Sequence, residues 1–168
     1  CAALVAPLPF VRDTYVDFGL APERIAVVQP GMDTASLRRA PRPERATDAP
    51  LRLAYIGSLM RHKGLDRLLQ ALSFVPDAKV ELRLHGFFVP GDPYGDALRR
   101  AAARDRRVHL MGPYDQTQLD AVLAGVDVLA MPARWHETFS FVTREAILAG
   151  VPVLASDIQV IEASDRDR

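Results

Sequence analysis

Pro132-Ala133-Arg134-Trp135-His136-Glu137-Thr138-Phe139-Ser140-Phe141-Val142-Thr143-Arg144-Glu145-Ala146-Ile147-Leu148-Ala149-Gly150-Val151-Pro152-Val153-Leu154-Ala155-Ser156 reads as a strand end, a short loop, a helix and a buried strand. Phe139, Phe141, Val142, Ala146, Ile147, Leu148 and Ala149 make the middle apolar almost all round. Such a pattern predicts a helix over 139–149 that is buried on most faces. Glu145 lies in its middle, three and four positions from Phe141, Val142, Leu148 and Ala149, so it shares their face. An ionised carboxylate there needs a partner, because burying an unpaired charge is costly. Arg144, its neighbour in sequence, points elsewhere. A ligand offering hydroxyl groups would serve.

Outward from this stretch the chain alternates strands and helices. Apolar strands are predicted over 51–56, 80–84, 108–111, 127–131 and 151–155, and helices over 65–75, 96–104 and 117–124. The first thirty residues read as a short strand, a helical turn over 11–18 ended by Gly19, and a strand over 25–29. Turns are expected at Ala21-Pro22-Glu23-Arg24 and Pro30-Gly31-Met32-Asp33, and a proline-rich loop or hinge over 40–50. Alternation of this kind implies an α/β fold: a Rossmann-like, doubly wound parallel sheet covered on both faces. Ligands of such sheets bind beyond the carboxyl ends of the strands. Gly57, Gly86, Gly112, Pro132 and Ser156 each sit at or just past one.

Glu137 and Glu145, with seven residues between them and Ala149-Gly150-Val151-Pro152-Val153-Leu154-Ala155-Ser156 behind, resemble the E-x7-E signature of family 4 glycosyltransferases. Tyr55-Ile56-Gly57-Ser58-Leu59-Met60-Arg61-His62-Lys63-Gly64-Leu65-Asp66 is similar to that family's phosphate-binding segment. Val108-His109-Leu110-Met111-Gly112-Pro113-Tyr114 is similar to its base-binding loop. The three motifs occur in the family's order over roughly residues 24–160. The resemblance implies a retaining, sugar-nucleotide-dependent enzyme and one half of a GT-B fold. Residues 1–40 would be the end of the N-terminal domain and the interdomain linker. Residues 41–168 would be the donor-binding, Rossmann-like C-terminal domain, short of the family's later Gly-rich loop and final helices. The acceptor would be held by the N-terminal domain that this chain largely lacks, so the fragment is expected to bind donor at best and not to transfer sugar alone.

The same resemblance assigns the site. Glu137 and Lys63 would be catalytic, Glu137 meeting hydroxyls of the transferred sugar and Lys63 facing the diphosphate as a point charge. Glu145 would accept both ribose hydroxyls. Gly57, Ser58, Arg61, Gly86, Pro113, Tyr114, Phe139, Ser140 and Phe141 would complete the donor site. A helix start near Gly64 offers free N–H groups and a positive dipole end, contributing about 0.3–1 kcal/mol towards an anion. The N–H groups of Phe139, Ser140 and Phe141 would do the same at the second helix start. Ser58 stands where the family usually has Arg, and Arg61 is the candidate substitute. Ser140 stands where the family often has Gly, and Ala133 where it often has Ser. The bland alternatives are an ordinary strand-to-helix turn at 57–64, a helix-capping acid at Glu137, and a structural acid paired with a distant Arg at Glu145.

Composition narrows the classes. Zero formal net charge gives no general attraction to nucleic acid or membrane, and no apolar run is long enough for a membrane span. The lone Cys1 excludes a disulfide within the chain and makes a cytoplasmic setting the default. His62, His85, His109 and His136 are dispersed, so neither a metal nor any cofactor besides the donor substrate is expected. Of 21 basic residues only Lys63 and Lys79 are lysines, leaving 19 arginines, and a lysine between His62 and Gly64 suits a phosphate. The arginines of 99–107 read as a solvated face, with peripheral membrane attachment of a longer protein as the alternative. His85 reads as a polar strand-end residue that borders the nucleotide at most, and Trp135 is expected to pack its loop. Two rival functions stay open: a non-catalytic nucleotide-binding module, and a GT-B sugar-nucleotide epimerase, against which the E-x7-E segment argues.

Overall fold

Short apolar runs, three of them closed by glycine, become the central strands. In the computed structural model, which describes residues 3–32 and 46–157, these are β3 (Leu51–Ile56), β4 (Val80–His85), β5 (Val108–Gly112), β6 (Val128–Met131) and β7 (Val153–Ala155). They form one parallel sheet in the order β5-β4-β3-β6-β7. Leu53, Leu82, Leu84 and Leu129 are buried in it, each contributing about 1.5–3 kcal/mol by full burial. Ahead of it, β1 (Leu4–Ala6) and β2 (Ile25–Val27) pair in parallel around α1 (Pro9–Asp17). Asp33, most of the expected hinge over 40–50, Cys1 and the tail after 157 lie outside the described residues.

Helices α2 (Leu65–Ser73), α3 (Pro93–Ala102), α4 (Leu119–Ala124) and α5 (Phe141–Leu148) connect the strands. Helix α2 buries the stripe Leu65, Leu68, Leu69 and Leu72 against the sheet, the spacing of one helical face. With the right-handed crossovers that parallel sheets adopt, this strand order places α2 and α3 on one face and α4 and α5 on the other. The chain steps one way from β3 to β4 to β5 and the opposite way from β6 to β7. The direction reverses between β3 and β6, which is where doubly wound sheets place their ligands.

Several boundaries differ from expectation, most for a local reason. Helix α3 starts at Pro93 rather than 96, because Asp92 caps it by accepting the Tyr94 N–H at 2.9 Å and proline suits the first helical position. The segment expected as one helix over 117–124 divides into a 3-10 turn, Gln116–Gln118, and α4. A reciprocal cap there joins Asp115 and Gln118, with the Asp115 N–H donating to Gln118 Oε1 at 3.0 Å. Helix α5 begins at Phe141, two residues later than 139, because Ser140 takes a left-handed backbone with φ 53°. The strand expected over 151–155 is confined to Val153–Ala155.

Candidate functional site

The carboxyl ends of β3 and β4 come together backbone to backbone. The Gly57 N–H donates to His85 O at 2.9 Å, and the Gly86 N–H to Gly112 O at 2.8 Å. Gly86 has φ 151°, and a Cβ there would lie 1.8 Å from Gly57 O, so only glycine fits. Ser58 is fixed through its carbonyl, which accepts the buried Tyr55 hydroxyl at 2.8 Å. Burial first, then the charge of Glu137, holds the Tyr55 phenol far above its ordinary value, so it stays a neutral donor.

Beyond Ser58 the chain makes a 3-10 turn, Arg61–Lys63, and reaches Gly64 at φ 73°. A Cβ on Gly64 would lie 1.9 Å from Pro132 O, at the end of β6. The Arg134 N–H donates to His62 O at 2.8 Å across the same seam. These backbone contacts clamp the two loops of the switch point together. Lys63 Nζ consequently donates to Glu137 Oε1, joining residues 74 positions apart. Both side chains are largely buried, at 18% and 16% exposure, where screening by salt is weaker than at the surface.

Glu145 lies 8% exposed on α5, among apolar groups as expected. Its partner is not a distant arginine: Gln116 Nε2 donates to Glu145 Oε1 at 2.9 Å, the one side chain bonded to it among the described residues. Burial pushes the Glu145 carboxyl up, and the Gln116 bond opposes that shift. Tyr114 borders it, its phenol raised by burial and by the Glu145 charge. Behind Tyr114 stands buried His85, edge-on with ring centroids 6.5 Å apart, its imidazole lowered by burial and by Arg83. Arg144 turns away, donating to Phe139 O at 3.3 Å and covering the Phe139 ring at 4.3 Å. A buried carboxylate bonded to one amide retains lone pairs for hydroxyl donors.

Two expectations, the start of α5 and the packing of Trp135, need correction. The open first turn of α5 presents the N–H groups of Phe141, Val142 and Thr143, not those of Phe139 and Ser140. Phe139 is instead buried against Phe141, ring centroids 4.8 Å apart, and the Ser140 hydroxyl lies 2.7 Å from that of Thr143. Arg61, in the same 3-10 turn as Lys63, is exposed and lines a groove between α2 and α3 with Asp66, Tyr94 and Arg104. Trp135 does not pack its loop: it is 66% exposed, with only a tilted contact to His62 at 5.4 Å. Pro113 stays exposed before Tyr114. Gln116 lies outside the three motifs, and the capping pattern of Asp115-Gln116-Thr117-Gln118 is the sequence signal that fixes its position just past the base-binding loop.

Residues 50–167 match the family described as Glycosyl transferases group 1, which is most of the chain. The chain belongs to this family. It is 29% identical over 163 residues to the D-inositol 3-phosphate glycosyltransferase of Corynebacterium aurimucosum, covering 88% of this chain and 38% of that protein. With the enzyme of the same description from Mycolicibacterium gilvum it shares 31% over 163 residues, 87% of this chain and 34% of that protein. The chain thus spans little more than a third of the length of these relatives. Among solved structures, Anabaena HepE in complex with UDP and glucose superposes with a TM-score of 0.82 at 22% identity, over 95% of this chain and 45% of that one. The C-terminal domain of a glycosyl transferase group 1 family protein (LpcC) from Francisella tularensis superposes at 0.61 with 17% identity, over 79% of this chain and 74% of that one. The fold is therefore one half of a GT-B architecture.

Proposed function

We propose that this chain is the donor-binding, C-terminal half of a retaining family 4 glycosyltransferase that takes a nucleoside diphosphate sugar without a metal. The observation that carries the proposal is Glu145, a buried carboxylate with a single amide partner at the carboxyl end of the sheet. A nucleotide's ribose supplies the two hydroxyl donors that such a group lacks. HepE's complexes with UDP, glucose and UDP-glucose lend support from the same fold. Residues 1–40 belong in this reading to the linker and the partner domain that holds the acceptor, and the longer protein is cytoplasmic.

The roles follow from charge. In glycosyl transfer the anomeric carbon becomes oxocarbenium-like while negative charge grows on the leaving diphosphate, so preorganised positive groups lower the barrier. Lys63 and the open N–H groups at the start of α5 supply them. The Lys63–Glu137 pair is the resting arrangement: an arriving diphosphate competes for the ammonium and frees the Glu137 carboxylate for sugar hydroxyls. Tyr114 and His85 border the base.

Because protein groups meet the phosphate charge, the full-length protein should transfer sugar at an unchanged rate in EDTA, with product of the same anomeric configuration as the donor. Loss of activity restored by magnesium or manganese would overturn the metal-free reading, and inverted product the retaining one. Release of an epimerised sugar nucleotide would instead favour an epimerase, and binding without any transfer or hydrolysis a regulatory module.

A further inference from the structure

We infer that Gln116 is a positioning residue of the donor site, fixing the Glu145 carboxylate for the ribose diol by holding one of its oxygens. This rests on the proposed role of Glu145. Gln116 is not part of any of the three motifs; it follows the base-binding loop and reaches α5 across 29 positions of sequence.

Its own placement is firm. The Asp115 carboxylate accepts from the Thr117 N–H at 2.9 Å and the Thr117 hydroxyl at 2.6 Å, and the Gln118 side chain closes the cap on the Asp115 N–H. The cap leaves the Gln116 carboxamide free of any local role and carries its Nε2 to 2.9 Å from Glu145 Oε1. An amide donor here does what an arginine would not. It orients the carboxylate without neutralising it, so the charge remains for ligand hydroxyls, whose bonds to a charged acceptor are the stronger kind. It also favours the ionised form against the effect of burial.

The other titratable groups around Glu145 are Tyr114 from the loop after β5, a neutral phenol, and His85 from the end of β4, an imidazole whose protonation burial and Arg83 disfavour. On its own helix Arg144 is engaged at Phe139. Among the described residues no cation is bonded to Glu145, so loss of the amide is not made good by a neighbour. The ionised carboxylate accepts the diol; binding is therefore present above its titration and lost as pH falls through it. Removing Gln116 raises that titration further and moves the acid limb of binding to higher pH.

The test is calorimetric titration of wild type, Gln116→Ala and Gln116→Leu with UDP, GDP and ADP, and with the 2′,3′-dideoxy form of whichever binds, from just below the ordinary Glu value of 4.5 upward to about pH 8. Gln116 is exposed and its cap is made by neighbours, so both variants should melt close to wild type. At pH 8 the variants should bind the ribonucleotide about 3- to 10-fold more weakly, the loss of one hydrogen bond's worth of positioning. The deficit should widen as pH falls, and the dideoxy ligand should not distinguish variant from wild type. Equal weakening of ribose and dideoxy ligands, or an unshifted acid limb, would overturn the positioning role while leaving the donor site standing. Failure of the wild type to bind any of the three would overturn both.

Discussion

Lys63→Ala should weaken binding of a nucleoside diphosphate by roughly 10- to 100-fold, the range for a hydrogen bond to a charged group. The bare nucleoside, which offers no phosphate, should bind almost unchanged. Two features make the loss severe. Ser58 is neutral where the resembled family usually carries Arg, and Arg61 is exposed and makes no bond to Glu137, so neither holds the place of the ammonium. The substitution also strips Glu137 of its partner, leaving a largely buried carboxylate beside an incoming diphosphate. Glu137→Gln separates the two effects: it frees Lys63 and should tighten nucleoside diphosphate binding while slowing transfer. Equal weakening of nucleoside and diphosphate by Lys63→Ala would make the residue structural and move the phosphate site to the first turn of α5.

Glu145→Ala should cost nucleoside and nucleoside diphosphate alike, by roughly 10- to 100-fold, since both carry the ribose that this carboxylate receives. Stability should move the other way. The folded carboxyl sits above its unfolded value because burial disfavours the charge. Its contribution to stability is therefore complete below the unfolded value and is lost as pH rises through the folded one. Glu145→Gln removes that titration, so its melting temperature should gain on wild type from the ordinary carboxylate range upward. A variant that melts lower at neutral pH and binds normally would reduce Glu145 to a structural acid.

Much of this was legible because the signals were local. An apolar run closed by glycine marks a parallel strand whatever lies around it, and β3 and α2 start where the pattern puts them. The carboxylate on the apolar face of α5 could be read the same way. What could not be read depends on backbone meeting backbone far along the chain. The approach of Gly64 to Pro132 O brings Lys63 to Glu137, and no periodicity reports a contact between loops 74 positions apart. The left-handed Ser140 delays α5, an exception to what non-glycine residues usually adopt, so the pattern runs on past the true helix start. Trp135 looked like loop packing because aromatic residues usually find cover, yet His136 meets Phe10 of α1 while Trp135 stays largely open. Gln116 is not legible in the sequence because an amide carries no charge that demands a partner, although it answers what partners Glu145.

Calorimetric titration of the protein with uridine, guanosine and adenosine diphosphate sugars, each beside its bare nucleoside, tests the donor site most directly. One donor should bind at one site per chain, with an affinity in the range of about 1 µM to 1 mM common for enzyme substrates, far tighter than its nucleoside. Lys63→Ala should abolish most of that difference. A folded protein that binds none of these donors, or binds nucleoside and nucleotide sugar equally well, would contradict the assignment.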